Sequence, residues 1–349
     1  MPLQRLLIFF LLVMGHAVYA QTSVIESLKK KIENSSSDEE KIKYIFRLCE
    51  EKQSMNTETH RYYVSLALNL SNALGNEYYK DMAKAEQVFL MAKDQKIDTA
   101  LIIVNALLKK YEAKGDRSII TRLLALKGRV LDRGFRRFDM IDANLSRLQE
   151  CDQFNDTLCL VMTMNSMGWG YLELGKNGDA LGWLRRALLL NYSDTIALKK
   201  YNCLYSNTAL AFYRTGNQDS AEHYIERAIK YGRETETLTF LANSLSFRAQ
   251  MLMRTQKIAI ARSSLSEALQ IRKQIGDPYY ILYDLVELAS FHAFEKNYAK
   301  SIELCKEGIP IAYQSGLATK LPEIYQLLAD NYEATGNQPE SIKSLKGLV

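Results

Sequence analysis

Histidine is scarce: four residues in 349, no two of them at a metal-ligand spacing. That rules out an H-E-x-x-H zinc site, and no Ser–His–Asp or Cys–His set can be assembled for nucleophilic catalysis. His16 falls in the N-terminal leader. His292 stands where neighbouring segments carry Tyr or Phe, the place of a packed ring, and His223 reads as a solvated face. Proline is as thin, with five residues, which leaves long stretches free to be helical. The five cysteines are an odd number, so at least one is free. Past Met14 no apolar run approaches the eighteen or so residues that a membrane span needs, so no span is expected in the mature chain. Charge of one sign is also lacking. The net charge of +5 is too mild to imply a nucleic-acid partner.

The first twenty residues stand apart. Arg5 gives a positive start, Leu6 to Met14 is unbroken apolar, and Ala17-Val18-Tyr19-Ala20 ends in a small-x-small pattern. This is the form of a secretory signal peptide, 1–20, with Gln21 as the new N-terminus. The apolar run is too short for an anchor, and no cysteine follows to take a lipid. The expected location is outside the cytoplasm, periplasmic or secreted.

Beyond the leader the chain keeps a period. Small residues recur at Gly128, Gly168, Ala209, Ala249, Ala289 and Ala329, with gaps of 40, 41, 40, 40 and 40. A second series runs Ala180, Ala221, Ala261, Ser301, Ser341, and a third Ala187, Ala228, Ala268, Gly308. Turn residues Gly75, Gly115, Asn155, Gly276 and Gly316 keep nearly the same step or multiples of it. Between turns, apolar residues fall at three- and four-residue spacing, as in Leu204, Thr208, Ala211 and Phe212, which predicts helices. Antiparallel helices approach closely only where a small side chain faces a bulky one. Gly168 and Ala180 accordingly leave room for Tyr171 and Leu184.

In order and spacing, "SMGWGYLELGKNGDALGWLRRAL" (166–188), "NTALAFYRTGNQDSAEHYIERAI" (207–229) and "LLADNYEATGNQPESIKSL" (327–345) resemble tetratricopeptide repeats. Segments 242–276 and 282–316 fit with looser turns. The resemblance implies an all-α, right-handed superhelical α-solenoid of antiparallel helix pairs, here with a period of about 40 residues rather than the usual 34. It divides the chain into a lead-in helix (21–40), degenerate pairs (41–157) and clear units (158–349), the last with its second helix only begun. The long repeat, the leader and the lead-in "SVIESLKKKIENSSSDEEKIKYIFRLCEE" (23–51) also resemble the exported sensor region of bacterial histidine kinases and transcriptional regulators.

One stretch argues otherwise. "GYLELGKN" (170–177) is one residue short of the phosphate-binding G-x-x-x-x-G-K-[ST]. The period puts it at the end of a first helix and its turn, whereas a phosphate cradle needs free N–H groups between a strand and a helix. No cofactor, metal or catalytic residue is expected.

The resemblance implies a non-enzymatic scaffold that binds a protein or peptide on its concave face, lined by first helices; the alternative is a sensor input domain cut before its output. Carried over by register, the inner stripe holds Arg129, Asp132 and Arg133, then Asn165, Trp169, Leu172 and Glu173. It continues as Ser206, Leu210, Tyr213 and Arg214, then Asn243, Ser246, Gln250 and Arg254. Arginines beside Trp169 and Tyr213 suit a peptide with acidic groups, because Arg forks onto carboxylates. A merely solvated polar face fits the same stripe. Cys151 and Cys159 bracket a short loop and are the best disulfide pair in an exported chain, against buried or free thiols; Cys305 reads as core.

Overall fold

The computed structural model describes residues 24–190 and 199–347, apart from Arg254 and Gln256; the expected leader and cleavage site lie outside these. A lead-in helix, α1 (24–33), precedes eight antiparallel pairs. They are α2 (Asp38–Glu50) with α3 (Thr57–Ala73), α4 (Glu77–Lys93) with α5 (Ile97–Lys114), α6 (Arg117–Arg133) with α7 (Arg137–Gln153), and α8 (Thr157–Glu173) with α9 (Asn177–Leu190). Then come α10 (Cys203–Arg214) with α11 (Gln218–Thr235), α12 (Leu238–Leu252) with α13 (Ile258–Ile275), α14 (Pro278–Phe294) with α15 (Tyr298–Gln314), and α16 (Leu321–Ala334) with α17 (Gln338–Lys346). Each pair packs on the next, and the first helices of neighbouring pairs touch along one side. This is a superhelical α-solenoid.

The small-residue series sit where helices meet. Ala180, Ala209, Ala249, Ala261, Ala289 and Ser301 are each 0 % exposed, so these positions face a partner helix. At Gly168 the approach is closest: a Cβ built there would lie 2.5 Å from Leu184 Cγ. A Cβ at Gly308 would come within 3.1 Å of Leu282. The period in the sequence is thus a period of interhelical contacts, with hydrophobic clusters succeeding one another along the stack.

The turns repeat as closely as the cores. Left-handed backbone occurs within pairs at Gln95, Phe135, Gly175, Gly216, Lys296 and Gly336. Between pairs it occurs at Gly75, Gly115, Asn155, Glu236, Gly276 and Gly316. The next residue then often caps the new helix, as Asn76, Asp116, Asp156, Asn217, Asn297 and Asn337 do by accepting a first-turn N–H. One forced positive φ plus one cap turns the chain, and glycine is simply the residue that does it without strain. Lys296, exposed and with φ 62°, holds that conformation against its own Cβ. Lys296→Gly is therefore expected to raise stability by about 0.5–1 kcal/mol, the relief of strain exceeding the added freedom of the unfolded chain. Gly216→Ala, at φ 86°, should lower it by a similar amount, both read from denaturant midpoints.

Candidate functional site

The superhelix closes on itself. The segment joining α2 to α3 docks against helix ends some 180–220 residues later. Ser54 Oγ donates to the Glu236 carbonyl at 2.7 Å, and Thr239 N–H to the Gln53 carbonyl at 3.1 Å. Asn56 Nδ2 donates to the Gln274 carbonyl at 2.9 Å, and Thr57 Oγ1 to that of Ile275 at 3.1 Å. Lys200 Nζ reaches Glu51 Oε1 at 3.0 Å.

At the centre of this clasp is Asp277, 2 % exposed, just before α14. Both its oxygens are held by Arg133, at 2.6 and 3.2 Å, and Lys93 Nζ lies 3.7 Å away. Burial alone would raise the carboxyl, but Arg133 and Lys93 outweigh it and keep Asp277 below the ordinary aspartate value. Arg133 also lies 4.7 Å from the ring centres of both Tyr279 and Tyr280.

Closure converts the concave face into a partly open chamber of about 270 Å³, walled from Gln53 through α6, α7, α8, α10, α12, α13 and α14. Its apolar wall is aromatic: Trp169 stacks on Phe247 with centroids 6.3 Å apart, and Tyr201 meets Phe240 edge-on at 5.9 Å. Trp169 Nε1 donates to Asp132 at 3.0 Å, which fixes the indole's orientation. Amides supply the polar wall. Asn207 donates to Asn165 at 3.0 Å, and Asn165 to the Tyr201 hydroxyl at 3.2 Å.

The charges inside are unevenly matched. Arg272 pairs with Asp284 at 3.4 Å and donates to Asn243. Burial pushes the Asp284 carboxyl up despite Arg272. Asp132 and Glu173 share Arg137. Arg129 and Arg147 line the chamber with no carboxylate partner among the described residues. Arg147 is 7 % exposed and its Nε has no hydrogen-bond acceptor. Desolvation draws its guanidinium down to about 10, with Tyr201 opposing and Arg129 adding to the fall. Arg129 is also lowered by desolvation, with Glu86 opposing. Unlike Arg147, Arg129 is an exposed side chain.

Of the residues expected on the inner stripe, Arg129, Asp132, Asn165, Trp169, Glu173, Asn243, Ser246 and Gln250 line this one chamber. Arg133 is taken up by Asp277. Leu172 and Leu210 are core, and Ser206 Oγ donates within its own helix to Cys203. Tyr213 is half-buried against the core, and Arg214 Nη1 donates to the Leu172 carbonyl at 2.8 Å, which caps the end of α8. Arg254 lies outside the described residues. Arg147, on the second helix of its pair, was not reached by the register rule at all. Its signal was a lone arginine on an otherwise buried face of α7.

Cys151 and Cys159 are joined across the turn between α7 and α8, with Cα atoms 5.6 Å apart. Cys49, Cys203 and Cys305 are buried thiols, and burial pushes each up to about 12, far from a reactive thiolate. His292 is half-buried and His223 exposed. His60, 1 % exposed, stands 3.3 Å from Glu86, which also binds Lys52 at 2.7 Å. Burial opposes ionisation of Glu86, yet Lys52 and His60 hold it down at about 2. At 170–177 the Gly175 and Lys176 N–H groups donate to the Leu172 and Tyr171 carbonyls, so neither is free for a phosphate. Among the described residues no cluster of three metal-ligating side chains occurs, and no helix is long and apolar enough to cross a membrane.

No protein-family model and no curated protein matches the chain. Solved structures do. A chain of the APC/C hetero-tetramer Cut9–Hcn1 is similar over 94 % of this chain and 55 % of its own, at 12 % identity and TM-score 0.61. The signal-transduction ATPase with a tetratricopeptide repeat sensor from Pyrococcus horikoshii is similar over 93 % and 51 %, at 14 % identity and TM-score 0.57. BtubC from P. vanneervenii is similar over 59 % and 87 %, at 16 % identity and TM-score 0.51. The chain thus spans about half the length of the first two. At these identities the likeness is one of fold, and the fold is the tetratricopeptide-like α-solenoid.

Proposed function

We propose that this chain is a non-enzymatic binding scaffold, exported from the cytoplasm, that takes a protein segment or peptide on its concave face. The observation that carries the reading is the gathering of Asn165 and Trp169 from α8 with Asn243 and Gln250 from α12, two first helices, around one aromatic-walled chamber. Aromatic anchors with flanking amides are the usual furniture of a recognition surface, and no pair of side chains there is arranged as nucleophile and base. The leader-like residues 1–20 support export. The lead-in resemblance at 23–51 favours a second reading, in which this solenoid is the input region of a signalling protein.

The test uses peptide arrays probed with the mature chain, Gln21 onward. Trp169→Ala, which removes the central anchor, is expected to weaken bound peptides at least tenfold, about 1.4 kcal/mol or more. Unchanged binding would remove the concave face from consideration. N-terminal sequencing of the protein from its host should begin at Gln21; an intact Met1 would contradict export.

A further inference from the structure

Arg147 poses a physical problem. A guanidinium nine-tenths buried ordinarily has a carboxylate or a full set of acceptors, because an unpaired buried charge is costly. Here the Asn165 oxygen already accepts from Asn207, and nothing accepts from Arg147 Nε. After burial and Tyr201, the charge that acts most on Arg147 is another cation, Arg129, with Asp156 opposing it more weakly. Arg129 has the Phe89 ring 5.4 Å away and, among the described residues, no carboxylate within ion-pair distance, Glu86 acting from farther off. Two cations with no ion-paired carboxylate among the described residues, one buried and one exposed, therefore line one chamber with the stacked Trp169 and Phe247.

We propose that the chamber is a binding site for a small organic anion. Its carboxylate sits on Arg147 and Arg129, and its flat apolar body lies against Trp169 and Phe247. A fork of N–H donors fixes a carboxylate in geometry and charge, and the burial of Arg147 strengthens the pairing. A chamber of about 270 Å³ is at the lower edge of the size range of organic-ligand pockets, which limits the body to about one ring. The same chemistry is presented by a free aryl acid and by the C-terminal residue of a peptide. This inference deepens the concave-face reading and rests on it.

The experiment is isothermal titration of the folded full-length mature chain with phenylacetate, with phenylacetamide as the uncharged match. A second arm uses a hexapeptide ending in phenylalanine, as free acid and as amide. Saturable binding of phenylacetate, with loss of at least tenfold for phenylacetamide and for Arg147→Gln, is the expected result. Binding of the free-acid peptide but not its amide would extend the site to chain termini. Arg147 is argued to serve a ligand rather than the fold, so Arg147→Met should melt no lower than the native chain. A marked fall in its melting temperature would overturn the assignment. So would the absence of saturation by either acid up to about 10 mM, the chamber then holding water only. If array peptides bind in a Trp169-dependent way while Arg147→Gln changes nothing, the anion site falls and the concave-face reading stands.

Discussion

Asp277→Ala is expected to destabilise the chain by about 3–5 kcal/mol, the range for removing one partner of a buried ion pair. The Asp277 carboxylate neutralises two cations, Arg133 and Lys93, whose side chains are 12 % and 7 % exposed. Removing it leaves both charges in place with the hydroxyl of Thr57 and the aromatic rings of Phe89, Tyr279 and Tyr280 but no carboxylate in ion-pair contact. The loss is larger than any surface ion pair would give, since those contribute at most about 1 kcal/mol. The effect also has a direction in space. Asp277 ties α4 and α6 to the start of α14, so its removal loosens the clasp before it melts the pairs. A first, low-temperature transition should separate from the main one, because in a stack each pair depends chiefly on its neighbours. Arg133→Met together with Lys93→Met in the same background should recover most of the loss by removing the stranded charges. If the triple variant is no more stable than Asp277→Ala, the cost lies elsewhere.

Gly168→Leu is the second large effect, at about 3 kcal/mol or more. Even a Cβ would sit 2.5, 2.7 and 3.2 Å from three carbons of Leu184, which is 0 % exposed and cannot swing into solvent. Helices α8 and α9 must then separate, which opens the core that Leu184 fills. Alanine stands at the same step in later pairs, at Ala209, Ala249, Ala289 and Ala329. Gly168→Ala should thus be tolerated at smaller cost, part of it offset by the better helix propensity of alanine. Shortening the opposing side chain with Leu184→Ala should recover more than about 1 kcal/mol of the Gly168→Leu loss, a coupling that independent sites do not show. Gly182 is the internal control. It lies in the same helix as Leu184 with nothing within 4 Å of a built Cβ, so Gly182→Ala should be neutral or stabilising.

These two sites mark what the sequence made legible and what it did not. Gly168 was readable because local packing leaves a local trace: every pair has the same contact, so small residues return at the same step. Glycine turns were readable for the same reason, while Gln95, Phe135 and Lys296 hid identical turns behind ordinary side chains. Asp277 left no trace. Its partner Arg133 is 144 residues away, and nothing periodic connects them. Register placed Asn165, Trp169 and Gln250 around a common space. It could not foresee that closure would spend Arg133 on Asp277, or that the curve of the stack would turn Arg214 onto a helix end. Arg147 was missed because it comes from a second helix, where the repeat rule looks only for core.

Closure of the superhelix is the claim on which the chamber, the clasp and the ligand reading depend. Carbodiimide cross-linking tests it most directly, because the reagent joins a lysine to a carboxylate only where they already touch. Lys200 and Glu51 are 3.0 Å apart, partly exposed, and 149 residues apart in sequence. In monomer isolated by size exclusion, peptide mapping should recover a Lys200–Glu51 linkage in high yield, and Asp277→Ala should reduce it. Monomer that is folded and helical, and that yields lysine–carboxylate links within and between adjacent pairs but none between Lys200 and Glu51, would show an open superhelix and contradict the account.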